Sequence, residues 1–225
     1  MAEGPPAGIG RTAFAGWLGA IVVLVAAQSA VHLAVVLGTG RVNTLVDLDR
    51  SNGIPDLVST AALAAAAAGA ACIPEARATA GRVVARALAV LLTLLTLADL
   101  LHDGAHTRST RGWLVIGVVV VVGVLLVALG IDSGRRIRIT LVVAGCVLVL
   151  SLLVNGLDRL DHWFERERGD PIAEYQIVAK EGLELLGWSL VALALWDEAL
   201  RRRHAVAATT ASASRARAAS RRRAA

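Results

Sequence analysis

Six long apolar stretches alternate with short polar segments along this chain. They run from Ala13 to Leu37, Pro55 to Ile73, Val83 to Leu101, Trp113 to Ile131, Ile139 to Leu157 and Gln176 to Trp196. Each is close to the roughly 20 residues that a helix needs to cross a bilayer. In lipid a lone segment has to satisfy its own backbone, so even the valine run Val118 to Val122 is read as helix. The second stretch is rich in alanine, and small residues of this kind let neighbouring helices approach closely. Pro55 suits its first turn, after the Asn52-Gly53 pair. The first stretch resembles a signal peptide as far as Ala27-Gln28-Ser29-Ala30. It remains apolar to Leu37, which predicts an uncleaved span. In the sixth, Leu185 to Trp196 amounts to only about 18 Å of helix, which places Glu181 and Glu184 at membrane depth.

Composition supports this pattern. Of 225 residues 56% are hydrophobic and 18% charged, and the mean hydropathy is +0.64. Those values exclude a disordered chain, a coiled coil and a disulfide-stapled secreted domain, and they argue against an ordinary soluble enzyme. The expected fold is all-α, a bundle of six transmembrane helices over residues 13–200. A short cytoplasmic arm (1–12) precedes it and a disordered basic tail (201–225) follows. Cys72 and Cys146 form no CxxC pair and read as small buried hydrophobes.

Charge supplies the orientation. With both termini inside, the inner segments carry 15 of the 23 Lys and Arg, and the outer ones carry 8. Basic residues accumulate on the cytoplasmic side, so an N-in, C-in topology in a bacterial cytoplasmic membrane is expected. Trp113 and Trp163 then fall near the outer boundary, and Trp17 and Trp196 near the inner one. The net charge of +5 comes from the Arg-rich ends. The tail has no stacking aromatics to accompany its arginines, so anionic lipid is its expected partner and nucleic acid is not. The acids are biased the other way, with 13 of 18 outside.

Those outer acids form stripes on three helix ends. Asp99, His102, Asp103 and His106 share a face at the end of the third span. Asn155, Asp158, Asp161, His162 and Glu165 follow the same rhythm on the fifth. Glu174, Glu181 and Glu184 do so on the sixth, with Lys180 close by. His and carboxylate side chains at helical spacing are chemically reasonable ligands for a divalent metal, zinc or iron being the natural candidates. The candidate ligands are Asp99, His102, His106, Asp158, His162, Glu181 and Glu184. The competing reading is an acidic rim paired with Arg159, Arg166 and Lys180. Asp47 and Asp49 in the first outer loop could join the same site, or Asp49 or Ser51 could serve the start of the second span. His32, one turn after Gln28, is read first as a hydrogen-bonded histidine of the bundle interior and second as a contributor to the site.

The run Asp47-Leu48-Asp49-Arg50-Ser51-Asn52-Gly53-Ile54-Pro55 resembles a "DLDxExNxPT" entry to the second span, found in a group of uncharacterised bacterial multi-span integral membrane proteins. Leu97-Ala98-Asp99 through His106 looks like that group's "LDE…HE" segment. Ala179-Lys180-Glu181-Gly182-Leu183-Glu184-Leu185-Leu186-Gly187 resembles its "EExxExxG" segment. Here Lys180 replaces the first acid and Asp56 replaces the threonine after the proline. The resemblance covers roughly residues 13 to 200, and it implies a multi-pass membrane protein without assigning an activity.

Three functional classes follow. The first is a membrane protein with an acidic, His-containing outer site for a metal or cation, enzymatic or not. The second is a small ion- or proton-coupled transporter, with Gln28, Thr93, Thr96 and Ser151 as the available lining residues. The third is a non-catalytic assembly subunit whose protein partners the sequence does not name.

Overall fold

The computed structural model describes residues 8–39, 48, 53–74, 79–100, 110–161 and 171–224. Among the described residues the regular structure is six α-helices: α1 (Arg11–Thr39), α2 (Ile54–Ala71), α3 (Thr79–Leu100), α4 (Thr110–Ile131), α5 (Arg135–Asp161) and α6 (Pro171–Ala224). Four of them are long and apolar enough to cross a membrane: α1, α2, and the stretches Gly81–Ala98 of α3 and Arg135–Val154 of α5. The described apolar part of α4, Gly117–Ile131, is shorter.

The ends of these helices follow from their sequences. Helix α2 starts with Gly53 at the N-cap and Pro55 in the first turn, where its missing N–H costs nothing. The cap is made without a side chain, and Asp49 and Ser51 lie outside the described residues. Helix α4 stops at Asp132-Ser133-Gly134, and α5 begins at once. Arg138 turns back across this hairpin. Its Nε donates to the Gly130 carbonyl (3.1 Å) and one terminal nitrogen to the Ile131 carbonyl (2.9 Å), satisfying oxygens that the end of α4 leaves without intrahelical partners.

Helix α6 is the centre of the bundle. It packs against α1, α2 and α5, whereas α3 packs on α2 and α4, and α4 on α3 and α5. From Leu185 to Ala199 nearly every side chain of α6 is buried, including Trp188, Val191 and Leu195. The part from Leu185 to Leu195, apolar on nearly all sides, belongs inside a bundle rather than at its surface. Two glycines permit this. A Cβ at Gly187 would stand 2.6 Å from the Cγ and Cδ2 of Leu148, and one at Gly69 would stand 3.1–3.3 Å from Leu195 and Trp196. Glycine at these points lets α5 and α2 approach α6 at backbone distance. Trp196 uses the second approach, donating its indole N–H to the Ala65 carbonyl at 3.0 Å. This tryptophan, expected to mark a membrane boundary, also ties two helices together.

Two features differ from the sequence reading. The basic tail is helical as far as Ala224, where composition predicts disorder. Alanine and arginine are strong helix formers, and an extension of an existing helix avoids the cost of nucleation. Both cysteines are free thiols, and Cys146 lies on the exposed face of α5 rather than in the bundle interior.

The glycine contacts generate a stability prediction. Gly187→Ala should destabilise the protein by roughly 1–3 kcal/mol, the usual cost of overpacking. Gly145→Ala, at a position with nothing within 4 Å of a new Cβ, should be neutral or slightly stabilising. Thermal unfolding of both variants in the same detergent checks the contrast.

Candidate functional site

Three carboxylates on α6 are almost completely removed from solvent: Glu174 at 1%, Asp197 at 1% and Glu198 at 0% relative exposure. An isolated buried carboxylate is very costly, so each is expected to hold partners. These partners fall at two ends of the helix and define two polar clasps.

The first clasp joins the start of α6 to the later part of α1. His32 is fully buried, and its Nε2 lies 2.9 Å from Oε2 of Glu174. The Leu48 backbone N–H donates to the other ring nitrogen, Nδ1, at 3.3 Å. With Nδ1 accepting, the ring proton sits on Nε2 and is donated to the carboxylate. One imidazole thereby orients the α1–α2 connection against α6. His32 is thus a hydrogen-bonded histidine of the bundle interior, the first of its two expected roles. The sequence placed Glu174 only within an acidic stripe, because the 142 residues separating it from His32 hide the pair.

The second clasp joins α5, α6 and the residues just before α1. Arg136 donates to both oxygens of Asp197, through Nε at 3.0 Å and a terminal nitrogen at 2.6 and 2.7 Å. That same terminal nitrogen donates to the Ile9 carbonyl at 2.8 Å, and the Ile9 N–H donates to Asp197 at 2.6 Å. The guanidinium also lies over the Phe14 ring, 4.7 Å from its centroid. Gly8 is required here, since a Cβ would collide with the Asp197 carboxylate. One residue further on, Glu198 accepts from Arg201 and Arg202 along the same helix. Hydrogen bonding to Glu198 raises the Arg201 pKa above its ordinary value, although burial works against it. A raised base contributes its stability below its unfolded value, so this pair persists throughout physiological pH.

Between the clasps lie the candidate ligands of α6. Glu181 and Glu184 are half-buried, and the Lys180 ammonium stands 3.0 Å from Glu181. Neither acid is without a partner. Leu48 sits at His32, five positions before Gly53, and the far end of α2 rests on Leu195 and Trp196. Helices α2 and α6 therefore run in the same direction. Counting back from Trp196 brings Glu181 and Glu184 level with the first turns of α2, where the helix carries partial positive charge. Lys180 offsets the charge of Glu181.

The remaining candidates are only partly visible. Asp99 belongs to α3 and Asp158 to α5, but their side chains lie outside the described residues, as do His102, His106 and His162 altogether. Among the described residues no group of three or more His, Cys, Asp or Glu side chains is placed to hold a metal. The candidate transport lining is largely spoken for. Thr93 and Thr96 donate to carbonyls one turn back in α3, and Ser151 donates to the Lys180 carbonyl of α6.

The clasps predict distinct mutational effects. His32→Ala should cost about 1–3 kcal/mol, because it leaves a buried carboxylate short of a donor. Glu174→Gln should cost less, because the amide oxygen can still accept from Nε2. Asp197→Ala should cost at least as much as His32→Ala, at about 1–3 kcal/mol, as it removes the carboxylate that the partly exposed Arg136 guanidinium and the Ile9 N–H share. Denaturant or thermal unfolding in one detergent ranks the three. Comparison of the chain with protein-family models, with characterised proteins and with solved structures yields no match, so functional inference rests on this geometry.

Proposed function

We propose that this protein is a multi-pass integral membrane protein of six spans, with both termini inside, whose outer face carries a carboxylate and histidine site for a divalent cation. The observation that carries the topology is an interval. Glu174 and Asp197 are 23 positions apart on α6, as are their partners His32, on α1, and Ile9, just before it. That interval is about 35 Å of helix, against a hydrocarbon core of about 30 Å. The two clasps thus lie about one membrane thickness apart, which supports counting α6 as a span despite the charges within it. Helix α4 supplies the remaining span, with Trp113 to Ile116 extending its apolar run. The basic-residue bias places the Asp197 clasp inside.

In the outer half of the α6 span, Lys180 beside Glu181 is an internal cation resting on the carboxylate stripe. The site is thus already organised around positive charge. Zinc or iron would bind through Glu181 and Glu184, together with Asp99, His102 and His106 from α3 and Asp158 and His162 from α5. Such a cation would displace Lys180 from Glu181, because the two positive charges compete for the same oxygens. The transporter reading is less well supported, since its hydroxyl groups are engaged with backbone carbonyls.

Elemental analysis tests the site, on protein purified without chelator or affinity-tag metal. Near-stoichiometric zinc or iron is expected in the wild type, with loss in Glu181→Ala/Glu184→Ala. Metal absent from both proteins overturns the cation reading. Topology is tested separately with single cysteines in a background lacking Cys72 and Cys146. A membrane-impermeant maleimide added to intact cells should label position 167 and spare position 214, and the reverse pattern would invert the orientation.

A further inference from the structure

We infer that α1 is a hinged strap, fixed to the bundle at its Glu174 end and able to swing away from α6 at its Asp197 end. This rests on the clasp geometry and not on the proposed cation site. Helix α1 packs chiefly against α6, and most of its surface faces outward. Its only buried side chains among the described residues are His32 and Val36, both in the half near Glu174. There the attachment is a side chain sealed from solvent on both sides of the bond, with His32 and Glu174 at 0% and 2% side-chain exposure. Opening it would strand a buried carboxylate.

The other end is held differently. Among the described residues, the polar groups that reach Asp197 and Arg136 from this part of the chain are the Ile9 N–H and carbonyl, which precede the helix; the Phe14 ring lies against Arg136 and Gly8 packs against Asp197. Water can replace both backbone hydrogen bonds when the strap lifts. Asp197 then keeps Arg136, whose side chain is 35% exposed, so no charge is orphaned. The two ends thus differ sharply in the cost of opening. Midway, Val25 and Ser29 of α1 face Gly182 of α6, and the Ser29 hydroxyl donates within α1, to the Val25 carbonyl. A strap open at the Asp197 end uncovers the α6 face around Gly182 and Asp197.

Pulsed electron paramagnetic resonance on spin-labelled full-length protein in lipid nanodiscs tests this, with Cys72 and Cys146 replaced. One label pair, at Thr12 and Arg203, spans the movable end. A second, at Leu37 and Tyr175, spans the fixed end. The first pair should show a short distance plus a longer component, in a few per cent to about a tenth of molecules. Asp197→Asn, which weakens the hold on Ile9, should enlarge that component several-fold. The second pair should show one distance throughout. A single unchanged distance for the first pair, in wild type and variant alike, overturns the inference. Equal broadening of both pairs overturns it too, because the helix would then detach as a whole. Should Asp197→Asn fail to fold, the contrast between the two pairs in otherwise native protein still decides the question.

Discussion

A carboxylate cannot be taken out of water alone, and α6 buries three of them. The arrangement of the bundle around this helix follows from where their partners come from. Glu174 requires a donor, and the imidazole of His32 brings α1 and the connection at Leu48 to it. Asp197 requires a cation, and Arg136 brings the start of α5, together with Ile9 from the beginning of the chain. Glu198 is satisfied within α6 itself, by Arg201 and Arg202. Buried pairs of this kind add little net stability compared with apolar residues of the same shape, but breaking one is expensive. They act as address labels, since other registers of α1 or α5 against α6 would leave charge unpaired.

Between these points the packing is apolar and close. In lipid there is no hydrophobic gain from joining one apolar helix to another, so contact has to come from fit and dispersion. Gly69 and Gly187 provide that fit, each facing a bulky side chain of the neighbouring helix. The polar clasps choose the register, and the glycines allow the helices to close once it is chosen. The Trp196 indole combines both roles, packing at Gly69 and donating to Ala65.

The acids in the middle of α6 are of another kind. Glu181 and Glu184 are only half-buried, and Lys180 shares the stripe. They lie level with the first turns of α2, whose N-terminal end favours negative charge. Partial burial separates the candidate ligands Glu181 and Glu184 from Glu174, which shares their stripe in sequence and yet serves structure.

The hydrophobic pattern by itself determined the helical class, the approximate extents of the helices and the start of α2 at Pro55. These properties are local, depending on the run of apolar residues, on backbone satisfaction and on proline's missing N–H. It also placed Glu181 and Glu184 within the apolar depth of α6, because helical rise converts residue counts directly into length. Only the tertiary structure decided which acids are fully buried and what partners they hold. His32 with Glu174, and Arg136 with Asp197 and Ile9, are contacts across 142, 61 and 188 positions, and no periodicity encodes a pairing at such separations. The exposed position of Cys146 and the helical tail were likewise beyond reach of composition. Which face of a helix its neighbours cover, and whether a helix already nucleated continues, depend on the assembled bundle rather than on the residues taken singly.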